Sequence, residues 1–189
     1  MPMDYEYYYY ESRNRYYDAC SEITNCENRA NGLRSQRQQK ISYINQLKAD
    51  LRKHKNASSD LNTAINKDSE LQGDLSKITS NVSLASENFG SMASSSSVAN
   101  KSLNSVYSTE SSKTKSTLDN IFSTLRSKKT TVDNKISELQ ESINRAESEL
   151  QDIESGINSA NSSASNWRAV KWNASNDMEY YRRKMYEEE

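Results

Sequence analysis

Few residues in this 189-residue chain belong to the types that do chemistry. His54 is the single histidine and lies between Lys53 and Lys55, with no cysteine or second histidine at metal-ligand spacing. Cys20 and Cys26 have neither a Cys-x-x-Cys spacing nor a positioned histidine. Six residues apart on one helix, they point about 240° apart, which disfavours a disulfide between them. The carboxylates between Glu138 and Glu154 read as ion-pair partners on a solvated helix, not as a general acid and base. No glycine-rich phosphate loop is present. The expectation is a non-enzymatic protein with no cofactor and no metal.

The remaining candidates are aromatic. Of twelve tyrosines, seven lie within Tyr5–Tyr17 and three within Tyr180–Tyr186, with Trp167 and Trp172 close by. Tyrosine and tryptophan offer large, stiff contact area with a polar tip and are enriched in interface hot spots. Tyr8, Tyr16, Tyr17, Trp167, Trp172, Tyr180 and Tyr181 are therefore candidate partner-binding residues. The alternative is that the rings pack on one another and stop the termini from fraying.

Composition decides which elements must position these rings. One proline and four glycines are too few for the turns of a β-rich or α/β fold. Leu, Ile, Val and Phe number 29, too few for a thick globular core. With 25 basic and 26 acidic residues, net charge does not expand the chain. A thin helical structure with a narrow apolar seam remains.

Leu118, Phe122, Leu125, Val132, Ile136, Leu139, Ile143, Ala146, Leu150, Ile153, Ile157, Ala160, Ala164 and Trp167 are spaced alternately by three and four once Lys129 is included. The count continues through Ala174, Met178, Tyr181 and Met185, with Lys171 as its polar member. Ile23, Cys26, Ala30, Leu33, Ile44, Leu47, Leu51, Leu61, Ile65, Leu75, Val82 and Phe89 share a second register. Polar residues such as His54, Ser58, Asp68, Gln72 and Thr79 interrupt it, and Ile41, Leu71 and Ile78 fall one residue off it. These patterns predict an all-α fold, a long antiparallel two-helix hairpin (a coiled coil) with a turn near residues 88–97. Arm one covers about 4–88, the turn about 89–97 and arm two about 98–186. Gly90 suits a helix end and the serines after it suit a helix start.

In such a hairpin, facing residue numbers sum to about 186. Residues 28–55 carry a net charge of +7 and face 131–158 at −5; 60–87 at −3 face 99–126 at +2; 4–22 at −3 face 164–184 at +3. This alternation favours the antiparallel hairpin over a parallel homodimer. It also cancels the basic block 29–55, and the isoelectric point is near 6.0, so no nucleic-acid binding is expected. No stretch approaches the ~20 apolar residues of a membrane span, so no membrane insertion is expected. Thirty-three serines disfavour helix, which predicts fraying or bending near residues 76–116 and 155–165.

A proline-poor helical hairpin with an aromatic-Gly element at its turn, here Asn88-Phe89-Gly90 within Ser86–Met92, resembles the WXG100 superfamily. Phe stands where the family usually has Trp, and Gly follows it directly. The length of this chain brings it closer to the YwqH-like helical proteins associated with LXG toxins. That resemblance implies an adaptor or targeting partner for type VII secretion. Its partner would be the helical domain of a secreted toxin or another WXG100-like protein, with Phe89 and Gly90 joining the aromatic end in recognition. The family's C-terminal Tyr-x-x-x-Asp/Glu export signal is not matched, since Lys184 and Met185 follow Tyr180 and Tyr181; the match is Tyr7 with Glu11. Without a signal peptide at Met1–Tyr10, the expected location is the cytoplasm, or outside the cell through type VII secretion with a signal supplied jointly with a partner. The alternative function is a structural coiled-coil spacer or a self-assembling protein with no secretion role.

Overall fold

The computed structural model describes residues 4–92 and 97–187, without the side chains of 86, 89–92 and 97–104. It is an all-α helical hairpin. Helix α1 spans Tyr5–Asn66, α2 spans Asp68–Met92 and α3 spans Ser97–Glu187; no strand occurs among the described residues. Asp4 starts α1 by accepting a hydrogen bond from the Tyr7 amide at 3.0 Å, an N-cap interaction. The helix continues through 88–92, part of the expected turn, and 93–96 lie outside the described residues.

Arm one is not the single helix the periodicity predicts. It breaks at Lys67, whose amide donates to the carbonyl of Ala64, three residues back, at 3.3 Å. The break falls in Asn66-Lys67-Asp68-Ser69, where three of four residues compete for backbone hydrogen bonds. Asp68 and Glu70 then supply negative charge to the first turn of α2. Residues 155–165 instead remain helical throughout. Ala160 and Ala164 take the buried positions there, and serines occupy the other faces.

The chain forms two compact units, residues 1–47 with 142–189 and residues 48–141. In unit one, buried or half-buried residues of arm one recur from Tyr5 through Ser12, Ala19, Cys26, Leu33, Lys40 and Leu47, with Tyr9, Tyr16, Ile23, Ala30 and Ile44 between them. The three-four alternation thus extends eighteen residues before Ile23. We label these two sets d and a of a heptad lettered a to g. On arm two, a includes Ala164, Lys171 and Met178, and d includes Trp167, Ala174 and Tyr181. Ala19, Ala30, Ala146, Ala160, Ala164 and Ala174 are all buried, and such small residues allow close helix approach. Gly156 extends this closeness, since a Cβ there would lie 3.1 Å from Leu33 Cδ1.

Cross-arm pairs set the register of unit one: Arg15 with Asp177 at 2.7 Å, Glu27 with Arg168 at 2.6 Å, Arg37 with Glu154 at 2.9 Å and Lys40 with Glu149 at 2.5 Å. These pairs sum to 192, 195, 191 and 189, so facing residues sum to about 191 and not 186. The predicted register was about five residues short because it centred the turn on residue 93. In unit two the pairs Ser58–Asp133, Gln72–Asp119 and Thr79–Ser111 sum to 191, 191 and 190.

Unit two fills the same seam differently. Leu51, Phe122 and Leu139 are buried, but Ser58, Asp68, Gln72 and Thr79 hold other seam positions. Ser58 donates to Asp133 at 2.6 Å, Gln72 donates to Asp119 at 2.9 Å, and Asp68 pairs with Arg126. Asp119, Arg126 and Asp133 are all e positions of arm two, so polar pairing takes one flank. Leu71 and Ile78, the residues one step off the register, lie exposed.

Candidate partner-binding site

The seam divides the candidate aromatic residues. Tyr16, Trp167 and Tyr181 occupy seam positions and are half-buried. Tyr8 is partly exposed and stacks on Tyr181, with ring centroids 5.5 Å apart and an interplanar angle of 25°. Lys171, the polar seam member, sets its ammonium 5.1 Å from the Tyr16 ring centroid. Electrostatic attraction to Cys20 first, and then to Tyr16, holds that ammonium above the usual lysine range. These inward groups join the arms of unit one.

Tyr17, Trp172 and Tyr180 lie exposed. In an antiparallel pair, e faces e and g faces g across the seam; Glu27–Arg168 is an e–e contact and Arg15–Asp177 a g–g contact. Tyr17 and Trp172 are both b positions, on the e side. Tyr180, a c position, lies on the g side with Tyr8. The seam extension places two more exposed rings at b, Tyr10 and Tyr186. Trp172 and Tyr186 are 68% and 73% exposed, so packing within the chain does not account for them.

Arg13 ties this face together. As an e residue between Tyr10 and Tyr17, its guanidinium carbon lies 5.9 Å from one ring centroid and 5.8 Å from the other, within cation–π range. Beside it, Tyr9, Ser175, Met178, Glu179 and Arg182 line a shallow cavity of about 220 Å³. Tyr10 and Arg13 lie N-terminal to Ile23, where the arm-one register read from sequence begins, whereas Tyr186 directly follows the seam residue Met185. The i, i+7 spacing of Tyr10 and Tyr17 is the signal that reveals them.

The turn pair Phe89 and Gly90 falls within α2, and its surroundings lie outside the described residues. His54 Nδ1 lies 2.9 Å from the carbonyl of Asp50, one helical turn earlier. Cys20 and Cys26 are half-buried free thiols. Among the described residues, no cluster of His, Cys, Asp or Glu could hold a metal, and no helix is long and apolar enough to cross a membrane. Arg37 and Lys40 of the basic block pair with Glu154 and Glu149. No protein-family model, curated protein or solved structure matches this chain.

Proposed function

We propose that this chain is a non-enzymatic helical adaptor that binds the helical leader domain of a secreted effector of the LXG-toxin kind for type VII secretion. The observation that carries the reading is the exposed e/b face of unit one, where Tyr10 and Tyr17 flank Arg13 on arm one and Trp172 and Tyr186 lie exposed at b on arm two. Trp, Tyr and Arg are the residues that dominate protein–protein binding energy. A partner helix along the face would cover the rings with an apolar stripe and meet Arg13 and Arg182 with carboxylates. The secretion context rests on the resemblance to the WXG100 superfamily carried by Phe89-Gly90.

The test is titration of the chain with the helical leader domain of a toxin encoded beside its gene, by calorimetry. The paired change Tyr17→Ala and Trp172→Ala is expected to weaken binding at least hundredfold while circular dichroism retains full helicity. Unchanged affinity in the folded variant would move recognition elsewhere. No complex with the unaltered chain would favour the spacer reading.

A further inference from the structure

Unit two exposes a separate apolar flank on the g side, opposite the polar pairing. Arm one contributes Ala57, Ala64, Leu71, Ile78 and Ala85, each seven residues apart. Arm two contributes Thr114 and Ile121, and the same row continues through the exposed Lys128 and Lys135. Leu71, Ile78 and Ile121 are 44%, 53% and 49% exposed. The nearby Thr114, Thr117 and Thr124 each donate their hydroxyl to the carbonyl four residues earlier, at 2.9 Å. Bonded inward, they leave their methyl groups as surface. Ile121 and Leu125 line a shallow cavity of about 340 Å³ with Thr117, Asn120 and Thr124.

We infer that this flank docks a second copy of the chain, antiparallel, about a two-fold axis that lies in the interface and crosses both Leu71 and Ile121. The Gln72–Asp119 hydrogen bond holds those two residues at one level, so both arms share the same centre. The arm-one stripe is self-complementary about Leu71. Leu71 meets its own copy, Ala64 meets Ile78 of the copy, and Ala57 meets Ala85. Small against large is the arrangement that fills an interface without voids.

Charge points to the same arrangement. Lys67 falls within one residue of Asp74 of the copy, twice by symmetry, and Lys135 falls level with Tyr107 and near Glu110. Asp74, Glu110 and Lys135 now make exposed contacts one helical turn away, with Lys77, Lys113 and Glu138, which are weak and exchangeable. A parallel arrangement would set Lys67 against Thr124 and Asp74 against Thr117, so neither of these two would meet an opposite charge. The stripe from 57 to 85 is about 42 Å long. Two helices wide, it offers on the order of 800 Å² per copy, the area of a standard stable interface.

This inference is independent of the adaptor reading, because the aromatic face lies in unit one. Analytical ultracentrifugation of the full chain over a range of concentrations is expected to show a dimer. Leu71→Glu with Ile121→Glu, both at exposed positions, should raise the dimer dissociation constant at least hundredfold with helicity retained. Lys67→Asp and Asp74→Lys should each weaken the dimer several-fold, and the two together should restore it. With Cys20 and Cys26 changed to Ser, Leu71→Cys should form an intermolecular disulfide under mild oxidation, whereas Ala57→Cys alone should not. A chain monomeric at every concentration, or a dimer that survives Leu71→Glu/Ile121→Glu, would overturn the inference. So would a dimer lost on Trp172→Ala, which would assign association to the aromatic face.

Discussion

In unit one alanines at 19, 30, 146, 160, 164 and 174 are buried between the arms, with Ser12, Lys40 and Lys171 as polar members of the seam. In unit two the same register carries Ser58, Asp68, Gln72 and Thr79, which make hydrogen bonds and an ion pair to the facing arm. The difference decides what reaches the surface. Alanine seams bring the helices close, and Tyr10, Tyr17, Trp172 and Tyr186 lie outside at b while Tyr16, Trp167 and Tyr181 stay half-buried in the seam. Polar seams draw pairing to the e flank and leave Leu71, Ile78 and Ile121 stranded at g. One heptad pattern thus yields an aromatic, arginine-bearing face in one unit and an aliphatic flank in the other.

The sharpest way to break this contrast is to truncate one seam residue in each unit. Ile143→Ala in unit one removes a buried side chain and should cost about 2–4 kcal/mol in denaturant unfolding. Gln72→Ala in unit two removes a partly exposed hydrogen bond and should cost about 1 kcal/mol or less. Equal losses would mean that the two seams contribute alike.

Asp68 offers a medium-sized effect. Its side chain is largely buried, it pairs with Arg126, and its Oδ1 is buried with no hydrogen-bond partner. Arg126→Ala leaves that carboxylate unpaired and should destabilise by about 1–3 kcal/mol. Leu at both positions should cost less than Arg126→Ala alone, because no buried carboxylate is left unpaired, as thermal unfolding of the two variants can establish. A double-leucine variant less stable than Arg126→Ala would contradict this.

Smaller effects sharpen the picture. Gly32→Ala meets nothing within 4 Å and should stabilise by about 0.5–1 kcal/mol through helix propensity. Gly156→Ala would press on Leu33 and should fall short of that gain. The Asp133 carboxyl is held below its ordinary value of 3.8, first by the hydrogen bond from Lys129 and then by that from Ser58. Its folded pKa is depressed, so its contribution is present above 3.8 and lost as pH falls through the folded value. Carbon-detected NMR titration of Lys129→Ala should move the Asp133 midpoint upward.

The architecture was legible because a three-four alternation over so many residues fits no other element, and charge alternation oriented the arms. The register was misjudged by about five residues since net charge over long blocks constrains pairing loosely, whereas Arg15–Asp177 and Gln72–Asp119 constrain it tightly. Lys67 was not recognised as a break because its flanking Asp68 and Gln72 still keep the heptad count. Chemical type located the aromatic end. The heptad count alone places Trp167 on the seam and Trp172 one residue past Lys171, whereas Tyr10 and Tyr17 lie N-terminal to Ile23, where the arm-one count begins.

The recognition role of the aromatic face can be read from Trp172 itself. With Trp167 changed to Phe, the emission of the chain reports Trp172 alone, which starts 68% exposed. Adding the helical leader domain should shift that emission to the blue and protect it from iodide quenching, as the indole leaves water. A complex that forms while Trp172 stays red-shifted and fully quenchable would contradict the role given to this face.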